Sequence, residues 1–274
     1  MSKLNENLKI PEMAKMMQQF SMQMQKMNED LMEIIAILDM SGSMSGLTND
    51  TIGGFNNYIK ELKEKNQEVN VTLIVFNTKY NVIWKRKPIK QCQNIDTNIY
   101  RPCGGTALLD ALGTAVTMTT TWFKQLKKSA QPGTVSFFVC TDGEENSSRE
   151  FSSDQVRKLV TQAQEEYKWS FLFAGANIDA FQSGQQLGFY SHNIANIAND
   201  GQGQERFYKA TIGQQMAIKS KKFTSFQDQY DQQGLNQNQI PNSNSKLIQN
   251  QNQQLNVHCI RKEVYSKNDE AFKC

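Results

Sequence analysis

Ile34-Ile35-Ala36-Ile37-Leu38-Asp39-Met40-Ser41-Gly42-Ser43 is the stretch whose reading decides the fold. Its five consecutive apolar residues read as a strand buried on both faces, the kind found inside a parallel sheet. The run ends in one carboxylate and two hydroxyls spaced two residues apart. In an open α/β sheet the carboxyl end of a strand is where ligands bind. Alternation in an extended or gently turning segment points Asp39, Ser41 and Ser43 the same way. Side chains that offer only oxygen suit a hard cation such as Mg²⁺. Gly42 lets the backbone bend without a Cβ penalty. A purely local reading stands beside this one: Asp39 and Ser41 cap the helix that follows.

Two further segments extend the pattern. Gly104-Gly105-Thr106 precedes the amphipathic run Ala107-Leu108-Leu109-Asp110-Ala111-Leu112, which places Thr106 at a helix start. Val135-Ser136-Phe137-Phe138-Val139-Cys140 reads as a second buried strand and runs into Thr141-Asp142-Gly143, so Asp142 also stands at a strand's carboxyl end. The local alternative for Asp142-Gly143 is a plain turn.

The set Asp39-x-Ser41-x-Ser43, Thr106, Asp142 resembles the metal-ion-dependent adhesion site of von Willebrand factor type A domains. The resemblance covers roughly residues 33 to 220. The wording of Gly104 to Asp110 and of Thr141 to Asn146 looks most like the intracellular branch. It implies an α/β fold: a doubly wound, mostly parallel, Rossmann-like sheet with one antiparallel edge strand and helices on both faces. It also implies that Asp39, Ser41, Ser43, Thr106 and Asp142 hold Mg²⁺, or Mn²⁺ or Ca²⁺, the hydroxyls ligating directly and the aspartates often through water. Neutral hydroxyl ligands leave much of the ion's charge uncompensated, so a Glu or Asp side chain of a partner can complete the coordination.

The function expected is therefore a divalent-metal-dependent protein–protein interaction module. Two other readings stay open: a scaffold whose metal site is only structural, and a metal-dependent phosphoryl-transfer enzyme. Catalysis is not expected. Ser41 stands where such enzymes want a second carboxylate, no Ser-His-Asp set is evident, and no P-loop occurs.

A chain of 274 residues with a formal net charge of +3 makes no electrostatic case for nucleic acid. Its short basic clusters, Lys85-Arg86-Lys87, Lys127-Lys128 and Lys219 to Lys222, read as solvated loops and helix ends. No signal peptide is expected at the start, and no apolar run approaches the ~20 residues of a membrane span. The five cysteines form no CxxC pair, and their odd number suits a reducing, cytoplasmic compartment. His192 and His258 have no partners at zinc-ligand spacing, so each reads as a surface or packing residue.

Three regions are expected. In residues 1–32, Met13, Met17, Phe20, Met24, Met27 and Leu31 recur at heptad-like spacing. That helix either packs on its own domain or mediates self-association. Residues 33–222 form the domain proper. Helices are expected over about 48–65, 107–127, 152–167, 178–187 and 207–218. Strands are expected at 69–76, 80–84, 135–142, 169–173 and 193–197, and residues 85–103 read as a loop. Glu144 and Glu145 either tune the site or begin an exposed loop. Residues 223–274 are expected to be a largely disordered tail, since more than half of positions 227–256 are Gln or Asn. Val257 to Tyr265 carries some strand character.

Overall fold

The apolar run 34–38 lies at the heart of β1 (Asn28–Asp39), a central strand of a six-stranded sheet. The structure, a computed structural model, describes residues 15–17, 27–65 and 67–235. The other strands are β2 (Val69–Phe76), β3 (Tyr80–Pro88), β4 (Pro132–Thr141), β5 (Ser170–Gly175) and β6 (Ile194–Asn196), in the spatial order β3-β2-β1-β4-β5-β6. Only β2 and β3 pair antiparallel. The three residues between them permit a hairpin and nothing longer. Every other pairing is parallel, and helices supply the crossovers that parallel strands need. These are α1 (Thr48–Glu64), α2 (Leu108–Gln125), α3 (Ser153–Tyr167) and α4 (Ala180–Gln186), followed by α5 (Gly201–Lys219) and α6 (Phe226–Leu235). The doubly wound, mostly parallel sheet with one antiparallel edge is the architecture expected from the sequence.

Alternation along β1 divides the interior into two cores. Ile34, Ala36 and Leu38 face one layer, where Phe55, Tyr58 and Leu62 of α1, Phe207 of α5 and Phe226 of α6 are buried. Ile35 and Ile37 face the other, with Leu112 of α2 and Val156 and Val160 of α3. Because β1 is covered on both sides, its sequence is continuously apolar rather than alternating. The glutamines of α5 are buried too, and hydrogen bonds account for this. Tyr58 donates its hydroxyl to Gln215 Oε1 at 2.8 Å, and Gln215 Nε2 reaches Ser136 Oγ at 3.3 Å.

Three findings depart from expectation. β3 runs on to Pro88 through Arg86, a left-handed residue at φ 48° where the β2–β3 register shifts. Second, β1 begins at Asn28, ahead of the boundary at 33. Third, the first residues of the expected tail form α6. Phe226 is buried, Tyr230 Oη accepts from Ala198 N at 2.8 Å, and Gln227 Oε1 accepts from Asn196 N at 2.8 Å. The helix thereby satisfies N–H groups in and just beyond edge strand β6, and the compact unit extends to Gly234. Leu31, expected in the opening helix, lies in β1, and Met27 packs against the second core. Residues 1–14 and 18–26 of the opening segment, the rest of the Gln/Asn tract and residues 257–265 lie outside the described residues.

Glu33 is a charged residue inside the sheet. Its Oε2 accepts from Arg86 Nε at 3.2 Å and Asn70 Nδ2 at 3.3 Å, while Oε1 has no partner. The Arg86 guanidinium also lies 4.0 Å over the Trp122 ring. Burial pushes the Glu33 carboxyl above its ordinary value near 4.5, against the pull of the Arg86 charge.

Two predictions follow from this packing. Ending the chain after Ser225 removes the buried rings of Phe226 and Tyr230. Urea denaturation should show a loss of about 3–5 kcal/mol, the cost typical of deleting one large buried side chain, and an unchanged midpoint would remove α6 from the fold. The native state holds the Glu33 proton to higher pH than the unfolded chain does. This group's contribution to stability is therefore full below its ordinary value and is lost as pH rises through the raised one. Glu33→Gln removes that component, so stability measured from about pH 4 to 8 should shift in the variant's favour as pH rises. Parallel profiles would show that Glu33 does not titrate this way.

Candidate functional site

β1 and β4 are neighbours, yet the chain leaves β1 for β2 on the opposite side. This reversal makes a crevice at the carboxyl ends of β1 and β4, the usual ligand position in an open α/β sheet. The register Leu38↔Cys140 sets Asp39, the last residue of β1, beside Thr141. Asp142 follows immediately.

All five expected residues come together here. Asp39 is 1% exposed; its Oδ1 accepts from Ser41 N at 2.7 Å and its Oδ2 from Thr141 Oγ1 at 2.5 Å. Ser41 Oγ lies 3.0 Å from Ser43 Oγ, and Ser43 Oγ donates to Asp142 Oδ1 at 2.6 Å. Thr106 is buried on the same side: a Cβ placed on Gly143 would lie 3.4 Å from Thr106 Oγ1 and 3.6 Å from Ser43 Oγ. Three hydroxyls and two carboxylates from three loops thus face one another.

The capping alternative fails on geometry. Ser41 precedes the short 3₁₀ turn Gly42–Leu47 but makes no side-chain capping bond, and α2 starts after Ala107 without one. The Ser41 hydroxyl meets Ser43 Oγ instead, and Ser43 Oγ donates to Asp142.

The two aspartates meet without a cation of the protein's own. Among the described residues the ion pairs are Lys60–Glu64, Arg86–Glu33 and Lys209–Glu205, none of which touches Asp39 or Asp142. Burial pushes the Asp39 carboxyl up, the Asp142 charge adds to this, and the bonds from Thr141 and Ser41 oppose it. No group of three His, Cys, Asp or Glu able to hold a metal occurs among the described residues. What the crevice offers is a hard, all-oxygen donor set, which fits a Mg²⁺-like ion better than zinc.

Several supporting residues escaped the sequence reading. Tyr100, from the segment read as a loop, donates its hydroxyl to the Asp39 carbonyl at 2.5 Å. Asn146 Oδ1 accepts from Thr106 N at 2.9 Å. Gly104 sits at φ +75°, and a Cβ there would meet Thr78 Oγ1 at 2.5 Å, so this turn requires glycine. Glu145 is not part of a loose loop. Its carboxylate accepts from Leu109 N at 2.9 Å and from Ser147 N and Ser148 N at 2.9 and 2.7 Å. Asp110 returns the favour, accepting from the backbone of Arg149, Glu150 and Phe151 at 2.8 to 2.9 Å. Glu144 remains exposed. Of these, Gly104, Asp110, Glu145 and Asn146 stand within the quoted motifs, whereas Tyr100 carried no signal in sequence.

No family model matches this chain, and no curated protein sequence matches it. Solved structures do. Proximal thread matrix protein 1 from the mussel byssus, in one crystal form, is 13% identical with a TM-score of 0.46, over 66% of this chain and 45% of that one. Another structure of that protein, described with a zinc-occupied MIDAS motif, gives 13%, 0.47, 66% and 44%. A von Willebrand factor type A protein from Catenulispora acidiphila gives 13%, 0.45, 69% and 43%. The manganese-loaded TRAP protein of Plasmodium vivax gives 15%, 0.38, 54% and 57%. This chain spans less than half the length of the mussel and Catenulispora chains. What the molecule itself shows, in its strand order, its single antiparallel edge and its switch point between β1 and β4, is the doubly wound, Rossmann-like architecture that the resemblance to von Willebrand factor type A domains implied.

Proposed function

We propose that this chain is a divalent-metal-dependent protein-interaction module. In this reading Asp39, Ser41, Ser43, Thr106 and Asp142 hold Mg²⁺, or Mn²⁺ or Ca²⁺, and the ion takes a Glu or Asp side chain of a partner as a further ligand. The observation that carries the reading is the gathering of three hydroxyls and two carboxylates in one crevice where, among the described residues, no cationic side chain pairs with either carboxylate. Both Asp39 oxygens already accept a hydrogen bond, so the residue holds Ser41 and Thr141 in place. The hydroxyls of Ser41, Ser43 and Thr106 then supply neutral ligands, and a positive charge left over at the rim attracts a carboxylate from outside.

A binding role is preferred to catalysis because Ser41 occupies the position where metal-dependent phosphoryl transfer wants a second carboxylate. Cys92, Cys103 and Cys140 are unpaired thiols, which agrees with a reducing, cytoplasmic setting. No helix among the described residues is long and apolar enough to cross a membrane.

Metal should raise the melting temperature by mass action. At a concentration 100 times the dissociation constant the gain is about 2.7 kcal/mol, or roughly 5–10 °C for a domain of this size. Asp142→Ala should abolish the shift. Thr106→Ala should reduce it while the metal-free domain stays folded, since no charge is removed. Thermal denaturation in EDTA and in millimolar Mg²⁺, Mn²⁺ and Ca²⁺ checks all three, and curves unmoved by every ion, with no heat of binding by calorimetry, would overturn the reading.

A further inference from the structure

Beside the crevice, a groove of about 350 Å³ opens at Gly143 and runs between α2, the loop after β4 and α4. Its floor is apolar, made by Leu108, Leu109, Phe173, Ile178 and Leu187. Its walls carry the amides of Gln182 and Gln186. The volume is at the small end for a binding pocket, suited to one or two residues of an extended chain rather than to a whole domain. It begins where the crevice ends: Gly143 faces Thr106 Oγ1 and Ser43 Oγ on one side and lines the groove on the other.

The charge of the groove is one-sided. Two carboxylates line it, and no Lys, Arg or His does. Glu145 is committed to backbone N–H groups at the start of α2 and within its own loop. Glu144 is exposed and has neither a hydrogen bond nor an ion pair among the described residues. It follows Gly143 directly in the chain and lines the groove beside it, at the end nearest the crevice.

We propose that this groove is the specificity subsite of the module. It receives the residues that flank a partner's metal-bound Glu or Asp, seating an apolar side chain on the Leu109–Ile178 floor and a basic side chain against Glu144. The proposal rests on the metal-site reading above. It adds a discrimination that the metal cannot supply, because the ion attracts any carboxylate. Glu144 repels a partner segment with further acidic residues and attracts one that alternates in charge. A like-charge contact of this kind sets specificity more than raw affinity.

The test uses synthetic pentapeptides and chemical-shift titration of the full chain in millimolar Mg²⁺. Gly-Glu-Leu-Lys-Gly and Gly-Lys-Leu-Glu-Gly cover both chain directions. They are compared with Gly-Glu-Leu-Glu-Gly, the Glu-for-Lys counterpart of both, and with the Gly-for-Leu form of each. At least one Lys-containing peptide should bind about two- to five-fold tighter than its Glu counterpart, the upper part of the range of an exposed ion pair. Replacing Leu with Gly should weaken it further, and EDTA should abolish binding. Glu144→Lys alters an exposed side chain that has no partner among the described residues, so the fold should persist while the order of the two peptides reverses. Ile178→Ser should erase the preference for Leu over Gly.

If carboxylate peptides bind in Mg²⁺ but ignore both the Lys/Glu exchange and Glu144→Lys, the groove proposal is overturned and the metal reading stands. If Mg²⁺ shifts the melting curve but no peptide binds, carboxylate capture and the groove fall together. If Mg²⁺ neither shifts the curve nor supports binding, the metal-site reading itself has failed.

Discussion

The parallel pairing of β1 with β4 is the constraint on which the rest of the structure depends. The register Leu38↔Cys140 brings Asp39 to Thr141, whose hydroxyl closes on the Asp39 carboxylate at 2.5 Å. A slip of one residue would turn Ile35 and Ile37 toward the layer that now holds Ala36 and Leu38, and every side chain with them. Two buried cores therefore fix the register, and the register fixes the crevice. The apolar residues that look silent in the middle of the strand are what hold the polar residues at its end.

A second device fixes the loops around that crevice. The first N–H groups of any helix lack partners within the helix. At α2 these are taken by side chains of the loop after β4: Glu145 accepts from Leu109 N and Ser148 Oγ from Asp110 N at 3.0 Å. Asp110, in the first turn of α2, in turn accepts three N–H groups from residues 149–151. Bonds to an ionised carboxylate are worth more than neutral ones. The acidic residues of this region are mostly structural for that reason, and Glu144 stands out as exposed without a hydrogen-bond or ion-pair partner among the described residues, whereas the exposed Glu150 accepts from Tyr80 Oη at 3.3 Å.

Much of this was legible because burial on both faces leaves an unambiguous apolar run. Val69–Phe76 begins and ends where the sequence pattern placed it, and the switch-point carboxylates sit at the ends of such runs. What the pattern could not reveal depends on distant partners. α6 has few apolar residues, and its composition matches the Gln/Asn tract that follows. Its place is decided by N–H groups of Asn196 and Ala198, some thirty residues earlier. Glu33 looks like the polar start of a strand, but Arg86 reaches it from a left-handed residue at a register shift. Tyr100 comes from a segment with no periodicity at all. In each case a polar side chain answers a specific polar group, and such pairings leave no repeat in the sequence.

Asp39 shows how far the crevice is organised by the protein's own contacts. Its carboxylate accepts from Ser41 of its own loop and from Thr141 of β4, and its carbonyl accepts from Tyr100 of a third segment. One residue thus ties together three parts of the chain. The hydroxyls of Ser41 and Ser43 are aligned by their contact with each other and with Asp142. Loops already held by the protein lose little further freedom on binding a ligand, so less of the interaction energy is consumed in ordering them. The stability of the crevice and its readiness for a ligand therefore come from the same hydrogen bonds. A substitution that loosens one of them acts on both at once.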